Sequence, residues 1–108
     1  MTRWMPLVSM VGMLATVGCG SPCDAVLGNP PDTRVGEIVY GNRCRTCHGP
    51  AGEGDEGPAL GTRVPFLSRC EVAEQVMFGS GDMPGFDGVI SDEDISSVTE
   101  YRMLEFGR

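Results

Sequence analysis

Residues 44 to 48 read Cys-Arg-Thr-Cys-His and hold two of the five cysteines together with the one histidine of the chain. A protein that places its single imidazole directly after a Cys-x-x-Cys pair has little freedom left in what it builds there. Three chemistries use this set: a zinc site, a thiol–disulfide redox centre, and covalent attachment of haem through C-x-x-C-H.

The local context separates them. Asp32 or Thr33 can cap a helix through "TRVGEIVYGNRCRTC", residues 33 to 47. At about 100° per residue, Gly36, Tyr40, Cys44 and Cys47 fall within about 80° of arc, so both cysteines share a face with a core aromatic. A structural zinc site needs about four ligands, and no second Cys-x-x-Cys or histidine pair completes the set. A dithiol centre belongs at a helix start in a βαβ context, whereas this pair ends a helix and no strand is visible. Haem attachment uses every residue of the motif: two thiols for the two vinyl groups, and the adjacent imidazole, His48, for the iron.

The N-terminus fits that chemistry. "MTRWMPLVSMVGMLATVGCGS" has one charge, Arg3, then an apolar run too short to span a bilayer, and it ends in small residues. Residues 1–18 read as an export signal. "ATVGCGS" resembles a lipoprotein cleavage motif, with Thr16 a departure from it, and predicts lipidation of Cys19 and a membrane anchor without a transmembrane helix. Ordinary signal cleavage is the alternative.

Charge excludes one class of partner. The chain has 8 Lys plus Arg against 15 Asp plus Glu, and cleavage ahead of Cys19 removes Arg3, taking the net charge from −7 to −8. Phosphate contacts need a basic footprint, so nucleic acid is not expected as a partner. A partner steered electrostatically presents a basic face. So short a chain with few aromatics is marginal for a side-chain core, and a large prosthetic group would fill the middle.

Beyond the motif, residues 19–32 read as a linker because of Pro30, Pro31 and the flanking Gly and Asn, which leaves 33–108 as the domain. "GPAGEGDEGPALGTRVP" is a loop. A second helix is predicted from about Ser68 to Phe78. Ser91 with Asp94 starts the last one, "DEDISSVTEYRMLEF", whose Ile95, Val98, Tyr101 and Leu104 form a core-facing stripe. The fold class is all-α, three to four helices with Gly/Pro-rich loops.

From Gly36 onward the chain resembles the class I c-type cytochromes, small electron carriers with one covalent haem c. The resemblance implies that Gly36 and Tyr40 cross the C-terminal helix at Val98 and Tyr101. It also implies that the Pro58 carbonyl accepts from the His48 ring, and that Leu60 lies against the haem. "GDMPGF" resembles the family's Met-Pro loop, making Met83 the sixth iron ligand. A soft thioether favours the ferrous state, and ligation from both sides leaves no site for oxygen chemistry.

Cysteine arithmetic leaves Cys23 and Cys70. An exported compartment permits disulfides, so a Cys23–Cys70 bridge is expected, with two unpaired thiols as the alternative. The expected function is one-electron transfer between protein redox partners outside the cytoplasm, by a monomeric, periplasmic, lipid-anchored carrier that is not an enzyme. No Lys surrounds the motif, and Glu53, Asp55 and Glu56 lie near Arg43, Arg45 and Arg63, so the family's usual partners do not carry over. The alternatives are a haem subunit of a larger oxidase or dehydrogenase, and a sensor or peroxidase with a weak sixth ligand. A dithiol oxidoreductase without haem stands further back.

Overall fold

Side-chain caps set where the three longest helices begin. In the computed structural model, which describes residues 20–107, the Asp32 carboxylate accepts from the Arg34 and Val35 amides. The Ser68 hydroxyl accepts from Glu71 N at 3.0 Å while Glu71 returns a bond to Ser68 N at 2.8 Å, a complete capping box. The Ser91 hydroxyl accepts from Asp94 N at 3.1 Å, ahead of a first turn holding Asp92, Glu93 and Asp94, where carboxylates suit the helix dipole. The expected signal segment and Cys19 lie outside the described residues.

The order is α1 (Pro22–Leu27), α2 (Thr33–Arg43), α3 (Arg45–His48), two 3-10 turns at Leu60–Thr62 and Val64–Phe66, α4 (Arg69–Phe78) and α5 (Asp92–Phe106). Among the described residues the only β pairings are isolated bridges, Ser80 with Met83 and Asp87 with Ile90. The fold is all-α, as expected. No described helix is long and apolar enough to cross a membrane.

The crossing of α2 and α5 is the main contact of the molecule. It depends on Gly36, where a Cβ would collide with the Ser97 carbonyl and reach 2.8 Å from Tyr101 Cβ. Beside it the Tyr40, Tyr101 and Phe106 rings form a triangle with centroids 5.5, 5.5 and 6.1 Å apart, a spacing at which aromatic rings attract. Val98 is buried in the core alongside Val39, Ile95, Val72 and Val76. The resemblance implied Val98 and Tyr101 at the crossing; the atoms nearest a Gly36 side chain belong to Ser97 and Tyr101, with Val98 buried beside them.

Three expectations need correction. Residues 19–32 are more than a linker: α1 forms there, with Cys23 and Val26 buried. Pro22 stands at the first turn, where its missing N–H is no loss, Ser21 N donates to the Asp24 carboxylate at 3.0 Å, and Asn29 closes the far end by donating to the Val26 carbonyl at 3.0 Å. The helix read as 33–47 breaks at Cys44 (φ −112°, ψ −34°), which ends α2 and opens α3. Leu104 is 47% exposed, and α5 buries Arg102 and Phe106 instead. Steps of three residues drift backwards round a 3.6-residue helix, so the buried face follows 95, 98, 102, 106.

A disulfide joins Cys23 of α1 to Cys70 of α4, with Cα atoms 5.4 Å apart. Ser96 donates to the Asn29 carbonyl at 2.6 Å, and Asp32 N donates to Ser97 at 2.9 Å. These bonds hold the N-terminal segment against α4 and α5.

Candidate haem site

Four segments meet around a cleft of about 560 Å³, a size typical of cofactor pockets. The break at Cys44 turns the chain so that Cys44, Cys47 and His48 all line it. Cys44 and Cys47 carry free thiols, the first buried and the second half-buried. Backbone bonds from Cys47 N and His48 N to the Cys44 carbonyl, at 3.2 and 3.0 Å, hold the short turn.

His48 is buried, 6% exposed, and its Nδ1 lies 2.8 Å from the Pro58 carbonyl oxygen. A carbonyl only accepts, so Nδ1 carries the proton and Nε2 keeps a free lone pair, as a metal-binding imidazole requires. Gly57 makes this approach feasible: a Cβ there would stand 2.9 Å from His48 Cε1 and 3.0 Å from Nδ1. Gly57 N also donates to the Cys47 carbonyl at 2.7 Å, tying the loop to the motif. Leu60, 2% exposed, supplies apolar wall.

Met83 lines the same cleft from the loop after α4. Reciprocal backbone bonds with Ser80, 2.9 and 3.1 Å, shape that loop. Gln75 of α4 donates from Nε2 to Met83 Sδ at 3.8 Å, which orients the thioether. Two other methionines lie elsewhere: Met77 is packed in the core, and Met103 lies against it on α5.

The donor set fits haem and not zinc. Among the described residues, only Cys23, Cys70 and Glu74 bring three potential ligand atoms within 4.8 Å of one another. Two of those sulfurs are joined in the disulfide. The Cys44, Cys47 and His48 atoms do not converge on one ion. They are spread along a cleft with a thioether on another wall, as a flat, bulky cofactor needs.

Burial sets the electrostatics. It pushes the Tyr40 hydroxyl up to about 12, with nearby Cys44 adding to the shift. That hydroxyl donates to the Gly49 carbonyl at 2.6 Å. Burial raises the Cys44 thiol as well, against the pull of Arg102, and lowers the Arg102 guanidinium.

Sequence reasoning missed Gln75, Gly57 and Arg102. For Arg102 a signal existed: it stands four positions after Val98 and seven after Ile95, on the apolar register. Nothing in the sequence singles out Gln75 before the loop is folded.

Residues 31–101 match the protein family described as "Cytochrome C oxidase, cbb3-type, subunit III". Cytochrome c6 of Synechocystis sp. is 28% identical over 99 residues, covering 78% of this chain and 82% of that protein. Cytochrome c6 of Euglena gracilis is 27% identical over 79 residues, covering 67% and 91%. The solved structure of cytochrome c6 from the diatom Phaeodactylum tricornutum superposes with a TM-score of 0.58 at 28% identity, covering 68% of this chain and 92% of that one. Motif, cleft and relatives agree, and the chain belongs to the c-type cytochrome family described as cytochrome C oxidase, cbb3-type, subunit III.

Proposed function

We propose that this chain is a single-electron carrier in which Cys44 and Cys47 would hold one haem c through thioethers, with His48 Nε2 and Met83 Sδ as the groups that would bind its iron. The observation that carries this reading is the Nδ1–Pro58 bond, which frees Nε2 in the cleft that Met83 also lines. Haem c supplies an iron centre that changes by one electron. The chain supplies everything else: two covalent holds on a broken helix, a fixed imidazole tautomer, and a thioether steadied by Gln75. Two protein ligands leave no position for oxygen or peroxide, which separates a carrier from a sensor or peroxidase. Its redox partners are proteins, and a net charge of −7, or −8 once Arg3 is removed with the signal, favours a basic docking face, acting mainly on encounter rate.

Export through residues 1–18 and lipidation of Cys19 belong to the same reading, as does action as a monomer. The Cys23–Cys70 disulfide supports export, because such bonds persist in oxidising compartments. The family description supports a second reading, in which the chain is a fixed subunit of an oxidase and hands its electron to a catalytic neighbour. Co-purification with larger subunits identifies that case.

The test is an absorption spectrum, oxidised and reduced, of protein matured in an export-competent bacterium, beside Met83→Ala. Both should show a c-type reduced spectrum, with the weak long-wavelength sulfur–iron band of the oxidised form lost only in the variant. A wild type lacking that band would sink the Met83 assignment.

A further inference from the structure

Arg102 is a buried charge that the ligand set does not explain. It sits on α5, 3% exposed, and lines the cleft with Cys44, His48 and Met83. Its Nε and Nη1 have no hydrogen-bond partner. The same face of α5 otherwise buries Ile95, Val98 and Phe106. A guanidinium is all donor, has no acceptor atom and stays protonated, so the charge is permanent.

Nothing nearby cancels it. Among the described residues, the groups that interact with it electrostatically are the Cys44 thiol and the Tyr40 hydroxyl, neither of them a carboxylate. Burial keeps Tyr40 neutral up to about 12, and a Cys44 joined to haem as a thioether no longer ionises. Of the acids beside Arg102 on α5, Glu100 pairs with Arg69 and Glu105 is exposed. Glu56 and Asp82 line the cleft from exposed positions, as do Arg43 and Arg63, and salt screens charges placed there. The carboxylates of haem leave the ring at the edge opposite its thioether bonds, away from Cys44. A bare cation in a core costs stability, and an unsatisfied group of this kind calls for a use.

We infer that Arg102 is a buried, uncompensated cation that raises the reduction potential of the iron. The assignment rests on the haem reading of the cleft. When a donor protein passes in one electron, ferric iron becomes ferrous and the ring centre loses one positive charge. A fixed cation nearby repels the ferric form more and so favours the ferrous one. Cys44 is tied to the ring, so a cation that interacts with Cys44 lies near the ring edge. In a low-dielectric interior its repulsion is several times what the same charge exerts through water. Arg102 thus adds to the ferrous preference that a Met83 thioether would give.

The experiment is the midpoint potential of the holoprotein at low and high salt, for wild type, Arg102→Leu, Arg102→Gln and Arg43→Gln. Both Arg102 variants should fall by about tenfold in the reduction equilibrium constant, about 59 mV for a one-electron couple. The fall should be the same at either salt concentration, with the sulfur–iron band retained. Arg43→Gln removes an exposed charge at the same cleft, so its shift should be smaller and shrink with salt. An unchanged or raised potential in the Arg102 variants would overturn the inference. So would a fall in only one of them, because Leu and Gln are equally neutral and differ only in packing. Loss of the sulfur–iron band would overturn it too, by assigning the shift to a displaced Met83. Should Arg102→Leu not accumulate, Arg102→Gln carries the comparison with a polar side chain. Denatured wild type without covalent haem colour would instead overturn the haem reading itself.

Discussion

Gly36 of α2 and Ser97 of α5 bring two backbones into direct contact, with the Ser97 carbonyl lying where a Gly36 side chain would begin. The helices can be no closer, and the aromatic triangle of Tyr40, Tyr101 and Phe106 sits at the spacing this contact sets.

Gly36→Ala should therefore force α2 and α5 apart. Overpacking of this kind costs about 1–3 kcal/mol. The expected result is a lowered denaturation midpoint with haem attachment retained, read by denaturant unfolding of the holoprotein. An unchanged midpoint would mean that the crossing tolerates a wider separation.

Tyr40→Phe keeps the ring and removes the 2.6 Å bond to the Gly49 carbonyl. The Gly49 carbonyl keeps its bond from Gly52 N at 3.1 Å, so the cost is that of one hydrogen bond, about 0.5–1.5 kcal/mol. Because burial raises the Tyr40 hydroxyl to about 12, the unfolded chain loses its proton first, near the ordinary tyrosine value of about 10. The stability contributed is complete below about 10 and declines as pH rises toward about 12. Unfolding midpoints measured across that alkaline window should fall more steeply for wild type than for Tyr40→Phe.

Gly57→Ala would put a methyl group 2.9 Å from the His48 ring. The ring has to turn away from Pro58, which loosens the 2.8 Å bond that sets its tautomer. A changed midpoint potential with covalent haem retained is the expected outcome, checked by potentiometric titration. An unchanged potential would show that the imidazole is held by its metal bond alone.

Replacing Cys23 and Cys70 together by Ser removes a cross-link across 47 positions. In the loop-entropy account such a bridge contributes about 4 kcal/mol. Denaturant unfolding should show a loss of that order, while the absorption spectrum stays as in wild type. A changed spectrum would mean that α1 also shapes the cleft.

Much of this molecule was legible beforehand, for physical reasons that differ by residue. Asp32, Ser68 and Ser91 mark their helices because a capping side chain acts within three residues. Cys44, Cys47 and His48 share the cleft because their spacing is itself the chemistry. Local rules failed where a distant partner decides. Residues 20–32 carry turn-forming Pro and Gly, yet α1 forms because α4 and α5 bury it and Cys23 pins it. The break at Cys44 has no Pro or Gly to announce it. Arg102 occupies a core position that charge alone would assign to the surface.

The disulfide also shortens a leash. Counted as open chain, residues 19–32 would let the domain stand on the order of 40 Å from Cys19. Cys23, however, is fastened to α4 only four positions after Cys19. Four extended residues reach about 14 Å. If Cys19 carries a lipid, as proposed, the cleft would travel in a thin shell against the bilayer and search an area instead of a volume. An electron partner confined to the same membrane plane would be met often, whereas one that diffuses freely has to come down to the surface.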